Sequence, residues 1–256
     1  MSGPTSVPAG APESEPRKKE IAAIAKVLEV GVLEIVFQPI FDLRQGNAFG
    51  FEVLTRPADP IFPSTGEMFD VATRTGQVGE LGRLQRTLAV KLAPGNPLFI
   101  NIHPGEFDHP WLIRPDDPIF RHSEDVYLEI TESAPLSYFE QCNNVIGELR
   151  KKGIRLAIDD FGAGFSNVKY ISDLNPDIVK LDRELISGVR EGSRQFRLLE
   201  SVVRLCKDMG AKVVAEGIET PPELVLVERA GVDYCQGYLL GRPGADPSAD
   251  TWPGFN

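Results

Sequence analysis

A short apolar run, Leu156-Ala157-Ile158, ends in two adjacent carboxylates, Asp159 and Asp160, followed by the turn Phe161-Gly162-Ala163-Gly164. The run reads as a buried strand. Asp177 to Leu181 reads as the next one, and it carries Lys180 just before Asp182. Adjacent aspartates at a strand end repel each other, and burial disfavours their ionised forms. A solvated turn accommodates such a pair; so does a hard cation, which takes oxygen ligands. Further polar residues lie inside or at the ends of other apolar runs: Glu52, Asn101, Glu129, Glu216 and Gln236. Carboxylates joined by one amide oxygen suit Mg²⁺ or Mn²⁺ better than zinc or copper. There are enough of them for two ions, and paired ions suit phosphodiester hydrolysis, stabilising charge on the attacking and leaving oxygens. In that chemistry Lys180 would orient the attacking water or stabilise charge. Glu216 would bind metal or act as base, and Arg56 would grip a phosphate with its two-pronged guanidinium.

The elements that must position these groups follow from periodicity. Apolar residues three and four apart predict a helix from Arg17, with Gly31 as its stop. Leu33–Asp42 and Ala48–Arg56 read as two strands of a hairpin around a Gly/Asn turn. Helices are expected over Glu67–Thr75 and Val78–Leu92, and strands over Pro97–Ile102 and Val126–Thr131. Between those strands, His103–Ser123 carries four prolines and reads as irregular. A helix follows over Ala134–Lys152. After the Asp159 strand and the Asp177 strand, Arg183–Met209 is helical with a break near Gly188–Gly192. The chain ends in strand Lys212–Ala215, helix Pro221–Ala230 and strand Val232–Cys235. Strand alternating with helix from Phe99 onward signals a parallel sheet. With the hairpin there are eight strands. The fold class is therefore α/β, a TIM-like (β/α)8 barrel with one antiparallel strand, whose polar residues would meet at one mouth.

The chain has 256 residues, which suits one such domain, and a net charge of −10, which argues against binding DNA or anionic membrane non-specifically. Residues 1–16, rich in Pro, Gly, Ser and Ala, read as a disordered leader or linker before a domain over 17–256. Cys142, Cys206 and Cys235 are scattered and odd in number, the pattern of small buried thiols in a reducing compartment. No run has transmembrane length and no signal peptide precedes the domain, so the expected location is cytoplasmic.

These motifs, in this order, resemble the EAL-domain family of cyclic-di-GMP phosphodiesterases. The resemblance covers Leu28 to Pro243 and rests on Phe37-Gln38-Pro39-Ile40, Glu52-Val53-Leu54 with Arg56, Asn101 in FINI, and Glu129 and Glu132 in LEITES. It continues through Asp159-Asp160-Phe161-Gly162, Lys180 and Asp182 in VKLD, Glu216 and Glu219 in AEGIET, and Gln236-Gly237-Tyr238. It implies hydrolysis of cyclic-di-GMP to linear 5′-pGpG with two Mg²⁺ or Mn²⁺ ions. Glu52, Asn101, Glu129 and Asp159 would be metal ligands, with Asp160 between the ions. Lys180 would contact the water, Glu216 would ligate or act as base, and Gln236 would complete the site. Gln38, Leu54 and Arg56 would line the substrate side, and Glu132 would anchor the loop after Asp160, which the family links to metal binding and to homodimer formation. Val53, Ala163 and Phe165 stand where Ala, Thr and Tyr are commoner, and the last two remove hydroxyls from that loop. A catalytically silent cyclic-di-GMP receptor is the alternative. A regulatory or sensor domain would connect through the helix that begins at Arg17.

Overall fold

The first two strands, β1 (Glu34–Asp42) and β2 (Ala48–Arg56), are joined by a turn that Asp42 builds, its carboxylate accepting the N–H groups of Arg44 at 2.7 Å and Gln45 at 2.9 Å. A computed structural model of the protein describes residues 15–57, 59–107, 111–131, 136–163 and 168–248, with the side chains of 15–17 and 136–143 left undescribed. The leader expected over residues 1–16 therefore falls almost wholly outside the described residues, but helix α1 already begins at Glu15 and runs to Val30. Helices α2 (Thr65–Arg74) and α3 (Val78–Leu92) follow the hairpin. Then come β3 (Leu98–Asn101), β4 (Val126–Thr131), α4 (Leu136–Lys151), β5 (Arg155–Phe161), α5 (Lys169–Leu174) and β6 (Ile178–Leu181). The chain continues with α6 (Arg194–Asp208), β7 (Lys212–Ala215), α7 (Pro221–Arg229) and β8 (Tyr234–Cys235).

The eight strands close into one barrel in sequence order. β1 runs antiparallel to both neighbours, β2 and β8, and every other pair is parallel. The expected TIM-like barrel with one reversed strand is what forms. Three elements differ from the periodicity reading. β5 does not stop at Ile158 but carries both aspartates to Phe161. Helix α5 occupies a stretch to which periodicity assigns no element; it is short, and Asn175 ends it in a left-handed conformation at φ +44°. The expected first piece of the Arg183–Met209 helix is a single 3-10 turn over Arg183–Leu185, because Gly188 and Gly192 both sit at positive φ before Ser193 caps α6.

Strand alternation decides what the barrel encloses. Phe99, Tyr127, Ala157, Ile178, Val214 and Tyr234 form one buried interior cluster, with Phe99 stacked on Tyr127 at 4.4 Å and Phe49 on Tyr234 at 4.0 Å. Two residues further along these chain segments come Asn101, Glu129, Asp159, Lys180, Glu216 and Gln236. Side chains two apart share a face, so the floor of the barrel is apolar and its C-terminal mouth polar. β1 runs the other way, and there the order reverses: Gln38 at the mouth precedes Ile40 in the cluster. Residues of opposite parity, such as Leu98, Ile100, Leu128, Ile158, Val179 and Val213, pack outward in the layer that includes helix residues such as Leu81, Leu199 and Val227.

Candidate functional site

Lys180 lies at the centre of the mouth. It is fully buried, and its Nζ is 2.7 Å from Glu129 Oε1, 2.8 Å from Asp159 Oδ1, 2.8 Å from Glu216 Oε1 and 3.7 Å from Glu52 Oε1. Glu52 is held from both sides. Gln236 Nε2 donates to its Oε2 at 2.6 Å, and Asn101 Nδ2 donates to its Oε1 at 3.4 Å. Strand register sets these approaches: Gln38 pairs with Glu52 across the hairpin, and Asn101 pairs with Glu129. Glu216 and Gln236 lie one residue past the ends of β7 and β8, their N–H groups still bonded to the neighbouring strands. Gly237 lets the last loop close over the site, since a Cβ there would sit 2.2 Å from the backbone of Ile218.

Asp160 would point away from Asp159 in a regular strand. Here the register slips between Ile158 and Phe161, and Asp160 takes the left-handed region at φ +56°. A non-glycine residue there carries strain of roughly 1–2 kcal/mol. The slip turns the second carboxylate toward the first. Two triads of oxygens result, each within 4.8 Å: Glu52, Glu129 and Asp159, and then Asp159, Asp160 and Glu216. Asp159 is common to both.

Crowding shows in the charge states. Burial pushes Glu129 well above the usual carboxylate range; Lys180 opposes this, and Asp159 and Glu52 add to it. Burial, with Asp159 and Glu52 behind it, raises Glu216 to about 8 against the pull of Lys180. Asp160 is raised to about 6 by burial and then by Asp159. For Lys180 burial works against the charge, but Asp159, Glu129, Glu216 and Glu52 together outweigh it and hold the ammonium protonated.

The donor set fits divalent metal. Both oxygens of Glu129, Oδ1 of Asp159 and Oε1 of Gln236 are buried without a hydrogen bond. The Lys180 ammonium reaches the carboxylates at ion-pair distance but outside hydrogen-bond alignment. Buried oxygens left in this way ordinarily cost free energy, and a hard cation would satisfy them. Asn101 currently turns its N–H toward Glu52, so ligation through its oxygen requires the amide to flip over.

Two cavities flank the carboxylates. One, of about 300 Å³, is lined by Gln38, Glu52, Glu216 and Gln236 with Asp182 and Arg183 at its rim. The other, of about 340 Å³, is lined by Leu54, Arg56, Phe69, Asn101, His103 and Thr131. The three residues expected to line the substrate side thus divide, Gln38 to the first cavity beside Gln236, and Leu54 and Arg56 to the second. Glu132 and residues 164–167 of the loop it is expected to anchor lie outside the described residues. One feature escaped the sequence reading. Arg183 lies across Gly217 and makes two 2.7 Å bonds to Glu219, placing a cation at the rim of the first cavity. Its only sequence signal is adjacency to Asp182, since Arg183 and Glu219 are 36 residues apart. Of the cysteines, Cys206 and Cys235 are buried free thiols, which burial pushes up to about 12. Among the described residues no helix is long and apolar enough to cross a membrane.

A family model described as the EAL domain matches residues 21–243. The bifunctional diguanylate cyclase/cyclic di-GMP phosphodiesterase MucR of Pseudomonas aeruginosa is 30% identical over 236 residues, covering 86% of this chain and 34% of the relative. The probable cyclic di-GMP phosphodiesterase PdeG of Escherichia coli is 26% identical over 234 residues, covering 86% of this chain and 46% of the relative. The chain thus spans less than half the length of these curated relatives. Among solved structures, the manganese/cyclic-di-GMP complex of Klebsiella pneumoniae BlrP1 at pH 6 superposes with a TM-score of 0.74 at 32% identity, covering 86% of this chain and 58% of that one.

Proposed function

Because this chain belongs to the EAL-domain family, we propose that it is a cytoplasmic phosphodiesterase that opens cyclic-di-GMP to linear 5′-pGpG. The observation that carries the reading is the mouth itself: Glu52, Glu129, Asp159 and Glu216 converge on the buried Lys180, with buried oxygens left over for cations. The names of the relatives and the nucleotide in the BlrP1 complex support the substrate.

Glu52, Asn101, Glu129, Asp159, Asp160 and Glu216 would hold two Mg²⁺ or Mn²⁺ ions, which supply a nucleophile at neutral pH and charge stabilisation on the phosphoryl oxygens. Lys180 stays protonated, holds the carboxylates together and donates toward the attacking water. Glu216, facing the first cavity, accepts the proton of that water. Arg56 in one cavity supplies positive charge that an anionic dinucleotide needs beside so acidic a centre, and Arg183 in the other, already paired with Glu219, offers its remaining N–H donors. Water adds its hydroxyl to phosphorus, the bond to the 3′-oxygen breaks, and a proton reaches that leaving oxygen. Incubation with cyclic-di-GMP and Mg²⁺ or Mn²⁺ is expected to release the linear dinucleotide, and chelation to stop it. Saturating binding without turnover in the presence of metal would sink the enzyme reading and leave a silent receptor.

Metal binding should also move protons. In the metal-free site Glu216 titrates near 8 and Asp160 near 6. Both values lie above those of the unfolded chain, so their contribution to stability is complete at low pH and is lost as pH rises through 6 and then 8. Ions require the ionised forms. At pH 7 Mn²⁺ binding should therefore release protons, and apparent affinity should rise between pH 6 and pH 8. Calorimetry in two buffers of different ionisation enthalpy measures the release; a pH-independent affinity with no proton released would contradict it.

A further inference from the structure

Asn101 ends a strand of only four residues, and nothing in β3 itself holds its side chain against Glu52. The chain leaves the barrel immediately, through Ile102 and His103, into the 3-10 turn Pro104–Glu106. That exit is tied to α3 by a group of three charged side chains, all wholly buried: Arg86, Glu106 and Asp117. Glu106 Oε1 accepts the backbone N–H of His103 at 3.2 Å, two residues past Asn101, while its Oε2 takes Arg86 at 2.5 Å. The other edge of the guanidinium grips Asp117 at 2.9 and 3.2 Å, and Asp117 also accepts the N–H of Ile119, starting the turn Pro118–Arg121. One turn before Arg86 on α3 sits Gly82, where a Cβ would lie 1.9 Å from Glu106 Oε2. The helix is built to admit this carboxylate at van der Waals contact.

A buried ion group of this kind is weak support for stability, because desolvation offsets most of its attraction, and fixing one arrangement is its better-attested use. What it fixes here is asymmetric. The Glu106 arm holds the segment that begins with Asn101; the Asp117 arm holds a turn remote in sequence from the mouth. We propose that Arg86 and Glu106 are positioning residues for the carboxylate centre, setting the exit of β3 so that the Asn101 amide stays in reach of Glu52 and of a metal ion. The inference rests on the reading of Asn101 as a metal-site residue.

Removing Arg86 outright would leave two buried carboxylates unpaired and risks unfolding, so the test leaves it in place. Gly82→Ala pushes on Glu106; Asp117→Asn weakens the opposite arm of the same cluster and controls for general loosening. The first readout is the side-chain amide signal of Asn101 in metal-free protein, identified by its loss in Asn101→Asp. It should shift in Gly82→Ala and stay in place in Asp117→Asn. The second is Mn²⁺ affinity measured with the metal alone, expected to weaken about 10- to 100-fold in Gly82→Ala and by less than about twofold in Asp117→Asn. An unmoved Asn101 signal in Gly82→Ala, or equal shifts in both variants, would overturn the proposal. Failure of the unmodified protein to bind Mn²⁺ would instead remove the metal reading, and the amide signal would still decide whether Arg86 and Glu106 position Asn101.

Discussion

Glu52→Gln should abolish hydrolysis while making the metal-free protein more stable. The two effects have the same origin. Glu52 stands with Glu129 and Asp159 in one oxygen triad and reaches Lys180 at 3.7 Å, the longest of the four ion-pair distances, so the ammonium loses little when it goes. What the substitution removes is one negative charge from a centre with five carboxylates and a single buried cation. Gln keeps the shape and, through its one oxygen, still accepts from Gln236; its new NH2 group faces the Asn101 amide, which accepts it once turned over. Relief of like-charge repulsion of about 1 kcal/mol corresponds to a rise of about 2–4 °C in melting temperature for a chain of this size. Loss of a carboxylate proposed to ligate metal should lower kcat by about 1,000-fold or more. Melting curves in chelator and turnover of cyclic-di-GMP with Mg²⁺ measure the two arms. A variant that loses stability and activity together would show that Glu52 holds up the barrel instead of serving the chemistry.

Lys180→Met should have the opposite sign on stability. The side chain is fully buried and 2.7–2.8 Å from three carboxylates, which then have no counter-charge. Breaking a buried ion pair from one side typically costs about 3–5 kcal/mol, or roughly 10 °C for a domain of this length. The loss should be largest at pH 8, where Glu216 ionises, and smaller at pH 5, where protonation removes the repulsion. Divalent ions should restore part of it by standing in for the ammonium. Turnover should stay low even with metal, because Met cannot donate toward the attacking water. Thermal melts across pH, with and without Mg²⁺, check the sequence of effects. An unchanged melting temperature at pH 8 in chelator would refute Lys180 as the counter-charge of the centre.

Most of the barrel was legible from the chain because its signals are local. Short apolar strands with a polar residue two positions beyond an interior one announce a floor and a mouth, and the Gly/Asn turn after Asp42 announces the reversed strand. Helix α5 was missed because six residues after a glycine-rich turn carry too little periodicity to stand out. The break expected near Gly188–Gly192 is where those glycines take positive φ, but the piece before it shortens to the single turn Arg183–Leu185.

By itself, then, the sequence determined the strand order, the residue types at the mouth and the family, since these depend on spacing and on motifs in order. Closure of the barrel decided the rest. Gln236 reaches Glu52 across 184 residues, and no local pattern encodes that contact. The slip at Asp160 brings two adjacent aspartates onto one side, against the alternation their spacing would dictate. The charge states of Glu129, Glu216 and Lys180 arise from burial and from one another, quantities that exist only once the strands have brought them together.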